Sequence, residues 1–205
     1  MDILDNNILS AMYVSSLTQR NVLEVLEEKN CLPNDFVSSR IGNLIKNGLI
    51  KTNKKSLTEL GRSSLRVVLA GGVFDIIHPG HIHTLNSAKS LGNVLVVVVA
   101  TDKTAIKMKK RTPLHNQNQR QKLVNSLSMV DACLVGHEGD IFKTVSLVEP
   151  EIIALGYDQI HQEKFIVDGC RKINLKVKVA RLQSPNPEIS SSKIEEKYGE
   201  NIHDL

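Results

Sequence analysis

The stretch GGVFDIIHPGH, Gly71 to His81, places two histidines where a predicted strand gives way to a predicted helix. The apolar run Val67–Ala70 precedes it, and Pro79 suits the first position of a helix, where its missing N–H is not needed. His78 and His81 are three residues apart, so they share one face of the first helical turn. Two imidazoles, free backbone N–H groups and the positive end of the helix dipole then converge on one point. Although either histidine could instead cap the strand or be solvated, the combination favours a phosphate site.

The composition is that of an ordinary soluble globular protein, with 41% hydrophobic and 23% charged residues among 205. The longest apolar run, Val94–Ala100, is too short to span a bilayer, and no signal peptide opens the chain, so we expect a cytoplasmic protein. Three scattered cysteines indicate reduced thiols and neither disulfides nor a metal site. The net charge of +4 is compatible with a polyanionic partner without requiring one. Aromatic residues at 3% and the lack of Trp argue against a platform for single-stranded nucleic acid.

The residue pattern changes near Arg62–Arg66, which predicts two domains, residues 1–64 and residues 65–205. Beyond this boundary, apolar runs alternate with helical patterns, which is typical of an α/β fold with a Rossmann-like, doubly wound parallel sheet. The chain has no GxGxxG or Walker lysine motif, which disfavours dinucleotide oxidoreductases and P-loop NTPases. The predicted strands are Arg66–Gly72, Asn93–Ala100, Ala132–Val135, Ile152–Leu155 and Val177–Ala180, and the predicted helices are Pro79–Ser90, Asn116–Leu127, Asp140–Leu147 and Gln162–Lys172.

The first 64 residues predict a small α+β domain of the winged helix-turn-helix type. Helical patterns cover Leu17–Glu28 and Asn34–Lys46, and two short strands, Leu49–Lys51 and Ser56–Thr58, would form a basic hairpin. The phrase NLIKNGLIKTNKKSLTELGR resembles the recognition helix, wing and closing helix of archaeal and bacterial regulators. Such domains bind DNA or serve as dimerisation or docking modules, and both alternatives stay open. The candidate DNA-facing residues are Ser38, Ser39, Asn43 and Lys46 on the second helix, with Arg40 at its margin, and Lys51, Lys54 and Lys55 on the hairpin.

A basic segment, Ile106–Pro113, follows the second predicted strand and is interpreted as a loop. Cations at the carboxyl end of a strand can gather around phosphates, and Lys107 and Lys109 are the favoured contacts, with a solvated loop as the alternative. Arg120 lies early in the next predicted helix. Its guanidinium could pair with two phosphate oxygens, or it could be an exposed helical arginine with a partner four residues away.

Two later segments carry candidate nucleotide contacts. Asp158 follows the fourth predicted strand, where a carboxylate can accept hydrogen bonds from a ribose or a base. The segment ISSSKI, Ile189–Ile194, offers hydroxyls and backbone N–H groups at a helix start, which is again a site for an anion.

The HPGH element resembles the signature of the HxGH nucleotidylyltransferase superfamily, and the resemblance extends from Arg66 to about Ile194. Lys107 and Lys109 match the superfamily's Lys-x-Lys pair, Arg120 matches the arginine on the following helix, and ISSSKI is similar to the closing motif. The stretches GGVFDIIHPGHIHTL, ATDKTAIKMKKRTP and IIALGYDQ resemble archaeal FAD synthases in particular, whereas the glycerol-3-phosphate cytidylyltransferase type shares HxGH and the closing motif. The chain departs from both groups at Val73, where Thr is usual, and from the FAD synthases in carrying only Cys170 where two C-terminal cysteines are typical.

This resemblance implies an enzyme that transfers a nucleotidyl group from a nucleoside triphosphate to a phosphate-bearing acceptor and releases pyrophosphate. ATP and FMN, giving FAD, are the first expectation, and CTP with glycerol-3-phosphate or a similar phospho-alcohol is the second. A winged-helix regulator with a nucleotide- or flavin-sensing domain is a third alternative. Mg²⁺ or another divalent cation would accompany the nucleotide, no tightly bound cofactor is expected, and homodimerisation stays open.

The residues expected at the site follow from the motifs and from the resemblance. The expected catalytic residues are His78, His81, Lys107, Lys109 and Arg120, and the expected nucleotide-binding residues are Gly72, Val73, Phe74, His78, Pro79, Gly80, His81, Asp158, Ser190, Ser191 and Ser192.

Overall fold

The computed structural model describes residues 2–28, 34–53, 56–183, 191, 193–194 and 196–197. The chain divides into two compact units, Met1–Arg66 and Val67–Leu205. Within the described ranges, no helix has both the length and the apolar character needed to cross a membrane.

The first unit contains four helices, α1 (Ile3–Thr18), α2 (Val22–Glu27), α3 (Asn34–Lys46) and α4 (Glu59–Ser63). The prediction of one helix over Leu17–Glu28 is wrong, because the chain turns at Gln19, which has a left-handed φ of 58°, and α2 begins after the capping residue Asn21. Helix α1 was not predicted because its buried residues lie almost all around the helix, which hides the periodicity of an amphipathic helix. These residues are Ile8, Leu9, Ala11, Met12, Tyr13 and Val14.

A short hairpin follows α3 in the first unit. Ile50 and Leu57 form a single antiparallel bridge where two short strands were predicted, and the Lys51 N–H donates to the Ser56 carbonyl at 2.9 Å. Thr58 closes the hairpin, since its N–H donates to the Leu49 carbonyl at 3.1 Å. The predicted wing residues Lys54 and Lys55 lie outside the described residues. The order of helices and hairpin is the order predicted for a winged helix-turn-helix, and that assignment stays a prediction.

The second unit is built on one sheet of five parallel strands, which confirms the predicted α/β architecture. The spatial order is β3-β2-β1-β4-β5, the order of a Rossmann-like sheet. Each predicted strand lies within one residue of an observed strand at both ends. The strands are β1 (Val67–Gly72), β2 (Val94–Val99), β3 (Ala132–Val135), β4 (Ile152–Leu155) and β5 (Lys178–Arg181), and the helices are α5 (Pro79–Lys89), α6 (Asp102–Lys109), α7 (Gln117–Asn125), α8 (Ile141–Val148), a 3-10 helix (Tyr157–Gln162) and α9 (Glu163–Lys172).

The first half of the basic segment after β2, Ile106–Lys109, belongs to helix α6, so its interpretation as a loop is wrong there and correct for residues 110–113. The Thr101 side chain caps α6 by accepting a hydrogen bond from the Thr104 N–H at 3.2 Å. Ala105 is fully buried and anchors the helix, which ends at Lys110 with a left-handed φ of 61°. The lysine-rich composition hid a helix that has only a narrow buried face.

The central strands β1 and β2 are apolar on both faces because helices cover the sheet on both sides. Val68 and Leu95 are fully buried, and Leu85 and Ala88 of α5 pack into the same core. Since β1 lies between β2 and β4, the order of strands reverses direction at β1. Ligands of open α/β sheets bind at the carboxyl ends of the strands at such a switch point, which is where the HPGH element lies.

Candidate active site

The loop between β1 and α5 begins with a strained backbone. Phe74 is buried and has a φ of 52°, a left-handed conformation that is costly for a residue with a large side chain. Its ring folds back over the strand end, and a Cβ at Gly72 would lie 2.9 Å from Phe74 Cε2. Gly72 is therefore needed for this close approach. A strained backbone conformation of this kind is stable only when the surrounding contacts hold the loop in place.

The loop delivers two histidines to the start of α5. His78 has extended backbone angles (φ −141°, ψ 166°) and precedes Pro79, which occupies the first position of the helix as predicted. The rings of His78 and His81 are 3.9 Å apart between centroids, and the Phe74 ring is 5.1 Å from that of His81. Gly80, between the histidines, is buried in the first turn. The structure thus brings together the residues that the sequence placed at the start of the helix.

Burial keeps both imidazoles neutral near pH 7. It lowers the pKa of His81 to about 4, and the charges of His78 and Lys109 lower that pKa further. A hydrogen bond to the Ile76 backbone acts in the opposite direction and raises it. The pKa of His78 is lowered by the same two effects, burial first and Lys109 second. The Nδ1 atoms of both rings are buried and make no hydrogen bond with the described residues. Protonation would therefore bury an additional unpaired N–H group, whereas a neutral ring still has one N–H to donate.

The structure brings one of the two predicted lysines to the histidines. The positive charge of Lys109 lowers the pKa of both His78 and His81, and its side chain is half-buried. Lys107 is exposed. Residues two apart on a helix point about 200° away from each other, so α6 cannot present both side chains to the same point. A role for Lys107 at the phosphates stays a prediction.

Arg120 is fully buried beneath the loop. Its guanidinium donates to the Val73 carbonyl at 2.6 Å, to the His115 carbonyl at 2.9 Å and to Asp102 Oδ1 at 2.7 Å. The interpretation of Arg120 as an exposed helical residue is therefore wrong. Its direct contact with phosphate stays a prediction, while its contacts with the protein make it a positioning residue. At Val73, where the related groups usually have Thr, no side-chain hydroxyl is present and only the backbone could contact a ligand. The carbonyl of this residue accepts a hydrogen bond from Arg120.

Asp75 is a second anchor of the loop, and the sequence analysis missed it. Its carboxylate is 1% exposed and accepts hydrogen bonds from Arg111 Nη1 and the Leu114 N–H, both at 2.8 Å. The available signal was an acidic residue within an otherwise apolar stretch, Val73–Ile77. Asp75 binds the segment before α7, and the Val73 carbonyl binds Arg120 of α7 itself. The loop is therefore held in place on both sides of Phe74.

A glutamine links the two strand ends at the switch point. Gln159 Nε2 donates to the Gly71 carbonyl at 3.2 Å, and its Oε1 accepts from the Gly156 N–H at 3.1 Å. The sequence analysis quoted this residue without assigning it a role. Its neighbour Asp158, a predicted nucleotide contact, lies in the same 3-10 helix, but its side chain lies outside what the structure describes.

One of the three predicted serines reaches the loop. Ser191 is buried and its Oγ donates to the Ile76 carbonyl at 3.0 Å, two residues before His78. The other two, Ser190 and Ser192, lie outside the described residues. The contact of Ser191 nevertheless connects the closing motif with the histidine loop, although they are far apart in sequence.

The two described cysteines, Cys133 and Cys170, are buried free thiols. Burial raises the pKa of Cys133 to about 12 and also raises that of Cys170, so neither buried thiol is a ready nucleophile. Among the residues that the structure describes, no three His, Cys, Asp or Glu side chains lie together in a way that could hold a metal ion.

Comparison with known proteins places the chain among nucleotidyltransferases. A family model described as cytidylyltransferase-like matches residues 69–197. The FAD synthase of Picrophilus torridus is 49% identical over 125 residues, which is 61% of this chain and 89% of that protein. The FAD synthase of Aciduliprofundum boonei is 51% identical over 116 residues, which is 57% of this chain and 77% of that protein. A crystal structure of the lipopolysaccharide core biosynthesis protein from Thermoplasma volcanium superposes with a TM-score of 0.56 at 45% identity, covering 58% of this chain and 98% of that one.

The low pKa of His81 predicts a pH-dependent stability. Between pH 6.5 and about 4 the unfolded chain binds a proton at this residue that the folded chain does not, so the free energy of unfolding falls as the pH falls through this window. We expect His81→Gln to remove about 3 kcal/mol of this decline, measured by chemical denaturation at several pH values. His83→Gln, at an exposed position two residues on, should leave the decline unchanged. Parallel curves for wild type and His81→Gln would contradict the prediction.

Proposed function

The chain belongs to the cytidylyltransferase-like family, and from this membership we propose that it transfers the adenylyl group of ATP to FMN, forming FAD and pyrophosphate. The observation that carries the proposal is the pair of histidine rings, 3.9 Å apart between centroids at the start of α5, in a region similar to curated FAD synthases. Cytidylyl transfer to glycerol-3-phosphate or a similar phospho-alcohol is the alternative, since it uses the same HxGH chemistry with a different pair of substrates.

The reaction needs positioning more than acid–base chemistry. An oxygen of the FMN phosphate attacks the α-phosphorus of ATP and forms a new P–O bond. The bond from the α-phosphorus to the bridging oxygen of pyrophosphate breaks, and its electron pair leaves with pyrophosphate. Because the phosphate nucleophile is already ionised near neutral pH, no general base is required. The protein must hold the two phosphates in line and stabilise the charge that moves toward the leaving group.

The roles of the residues follow from their places in the site. His78 and His81 donate N–H bonds to oxygens of the α- and β-phosphates, together with the free N–H groups at the start of α5. Lys109 supplies positive charge next to the histidines, and Lys107 would reach the outer phosphates. Arg120 and Asp75 hold the loop that carries the histidines. The remaining proposed nucleotide contacts are Gly72, Val73, Phe74, Pro79, Gly80, Asp158, Ser190, Ser191 and Ser192.

We propose that Mg²⁺ or another divalent cation enters with ATP as part of the substrate. Its charge would neutralise the triphosphate and the departing pyrophosphate.

The substrate assignment is tested by measuring pyrophosphate release. ATP and CTP are each combined with FMN, glycerol-3-phosphate and phosphocholine in the presence of Mg²⁺. We expect ATP with FMN to be the fastest pair, with FAD identified chromatographically and with loss of the reaction in excess chelator. Faster turnover of CTP with glycerol-3-phosphate, with FMN inert, would establish the alternative.

The role of the histidines is tested by single substitutions. His78→Ala and His81→Ala should each lower kcat by about 100-fold, because each removes a preorganised donor to developing charge. The KM values for ATP and FMN should change far less, since the donors act mainly on the transition state. Both constants are measured from steady-state FAD formation. Turnover close to wild type in both variants would contradict the proposed chemistry.

The two lysines provide a matched comparison in the same assay. Lys109→Ala should lower kcat about tenfold more than Lys107→Ala, because only Lys109 acts electrostatically on the histidine pair. Equal losses would show that α6 presents both side chains to the phosphates during the reaction.

We propose a second function for the first unit, the binding of double-stranded DNA. The observation that favours it is the polar face of α3, the helix that precedes the hairpin in the chain. Its exposed residues are Ser38, Ser39, Asn43 and Lys46. Arg40, which the sequence placed at the margin of this face, has its partners within the first unit. It forms ion pairs with Asp2 and Asp5 at the start of α1, the latter at 2.8 Å, so its charge is neutralised within the unit.

DNA binding is tested on the full chain by fluorescence polarisation with a duplex from the region upstream of its own gene. We expect binding at low salt that weakens at moderate salt, because neutralised phosphates release counterions. Lys46→Glu should abolish it, whereas Lys143→Glu, the same charge change at an exposed position on α8, should not. No binding at low salt would remove this function and favour a docking role.

A further inference from the structure

A shallow cavity of about 550 Å³ lies directly beside the histidine pair. His78 forms one boundary of this cavity, so it is continuous with the site proposed for phosphoryl chemistry. The cavity then extends along the exposed face of α5. Its lining residues are Ile77, His78, Pro79, Ile82, His83 and Asn86.

The lining combines three aliphatic side chains with three polar ones, of which His78 lies at the boundary with the histidine site. Pro79, Ile82 and Asn86 recur at helical spacing and therefore share one face of α5. Ile77 comes from the loop and also packs against the hydrophobic core of the sheet, which fixes its place in the cavity. His83 and Asn86 are exposed and supply an imidazole and an amide. The cavity is thus a largely apolar surface that also carries an imidazole and an amide.

We propose that this cavity binds the isoalloxazine ring of FMN. The inference rests on the proposed function, which brings the FMN phosphate to His78. An isoalloxazine is a planar and largely apolar ring system whose hydrogen-bonding atoms are concentrated along its pyrimidine edge. Ile77, Pro79 and Ile82 match the apolar part of the ring, and Asn86, with both a donor and an acceptor, matches the edge.

The topology favours the acceptor over the adenine of ATP as the occupant. Nucleotides in open α/β sheets lie in the crevice at the switch point, here between β1 and β4, where Gln159 links the strand ends. Helix α5 instead connects β1 with β2, on the side of β1 away from β4. The adenosine and the cavity therefore lie on opposite sides of His78. The cavity is then available to FMN, whose phosphate attacks the α-phosphorus.

The decisive variant is Ile82→Glu, which places a carboxylate in the apolar lining and next to an anionic ligand. We expect the Kd for FMN, measured from the change in flavin fluorescence on binding, to rise about tenfold or more. The KM for FMN should rise in parallel, while the KM for ATP changes by less than about twofold. Leu147→Glu makes the same kind of change at an exposed position of α8 and should leave all three constants as in the wild type.

Asn86→Ala is the second variant, since it removes only an exposed amide and does not threaten folding. It should raise the KM for FMN about threefold to tenfold, the effect of losing one or two hydrogen bonds, with kcat for FAD formation largely retained. A wild type that forms no FAD would overturn the proposed function itself. A wild type that forms FAD, with variants that bind FMN normally, would overturn only the ring site. A rise in the KM for ATP instead of FMN would place the adenine in the cavity and also overturn the inference.

Discussion

The buried guanidinium of Arg120 is the contact on which the rest of the site depends. A charged side chain with no exposed surface is stable only when its donors are paired, and here two backbone carbonyls and a carboxylate accept them. Through Val73 it holds the loop after β1, through His115 the segment before α7, and through Asp102 the start of α6. One side chain therefore ties the carboxyl ends of β1 and β2 to the starts of α6 and α7.

This anchoring allows the loop to carry strain and bury its histidines. Phe74 adopts a left-handed backbone and packs against His81, which helps to bury that imidazole. Burial lowers the pKa of both histidines and so favours their neutral form. The positive charge beside the two rings is that of Lys109, which lowers both pKa values further. The imidazoles and the positive charge of this site are thus carried by side chains of two different helices.

Several elements could be predicted because their cause is local. The strands β1 and β2 are uninterrupted apolar runs, which is the pattern of strands covered by helices on both faces. The start of α5 was predictable from Pro79 and the glycines around it. Helices α1 and α6 were missed for opposite reasons: α1 is apolar around most of its circumference, and α6 is charged around most of its own. Neither has the balanced amphipathic pattern from which a helix is inferred.

The sequence by itself determined the order of the five strands and of helices α5, α7, α8 and α9, the place of the histidine pair at a strand end and the resemblance to the HxGH enzymes, because these depend on neighbouring residues. Only the tertiary structure decided which charged side chains are paired within the protein. Arg120, Arg40 and Asp75 all find partners that are distant in the chain, and Lys107 is separated from Lys109 by the turn of a helix that the sequence did not reveal. A charged residue takes its role from the partner nearest in space, and spacing along the chain does not specify that partner.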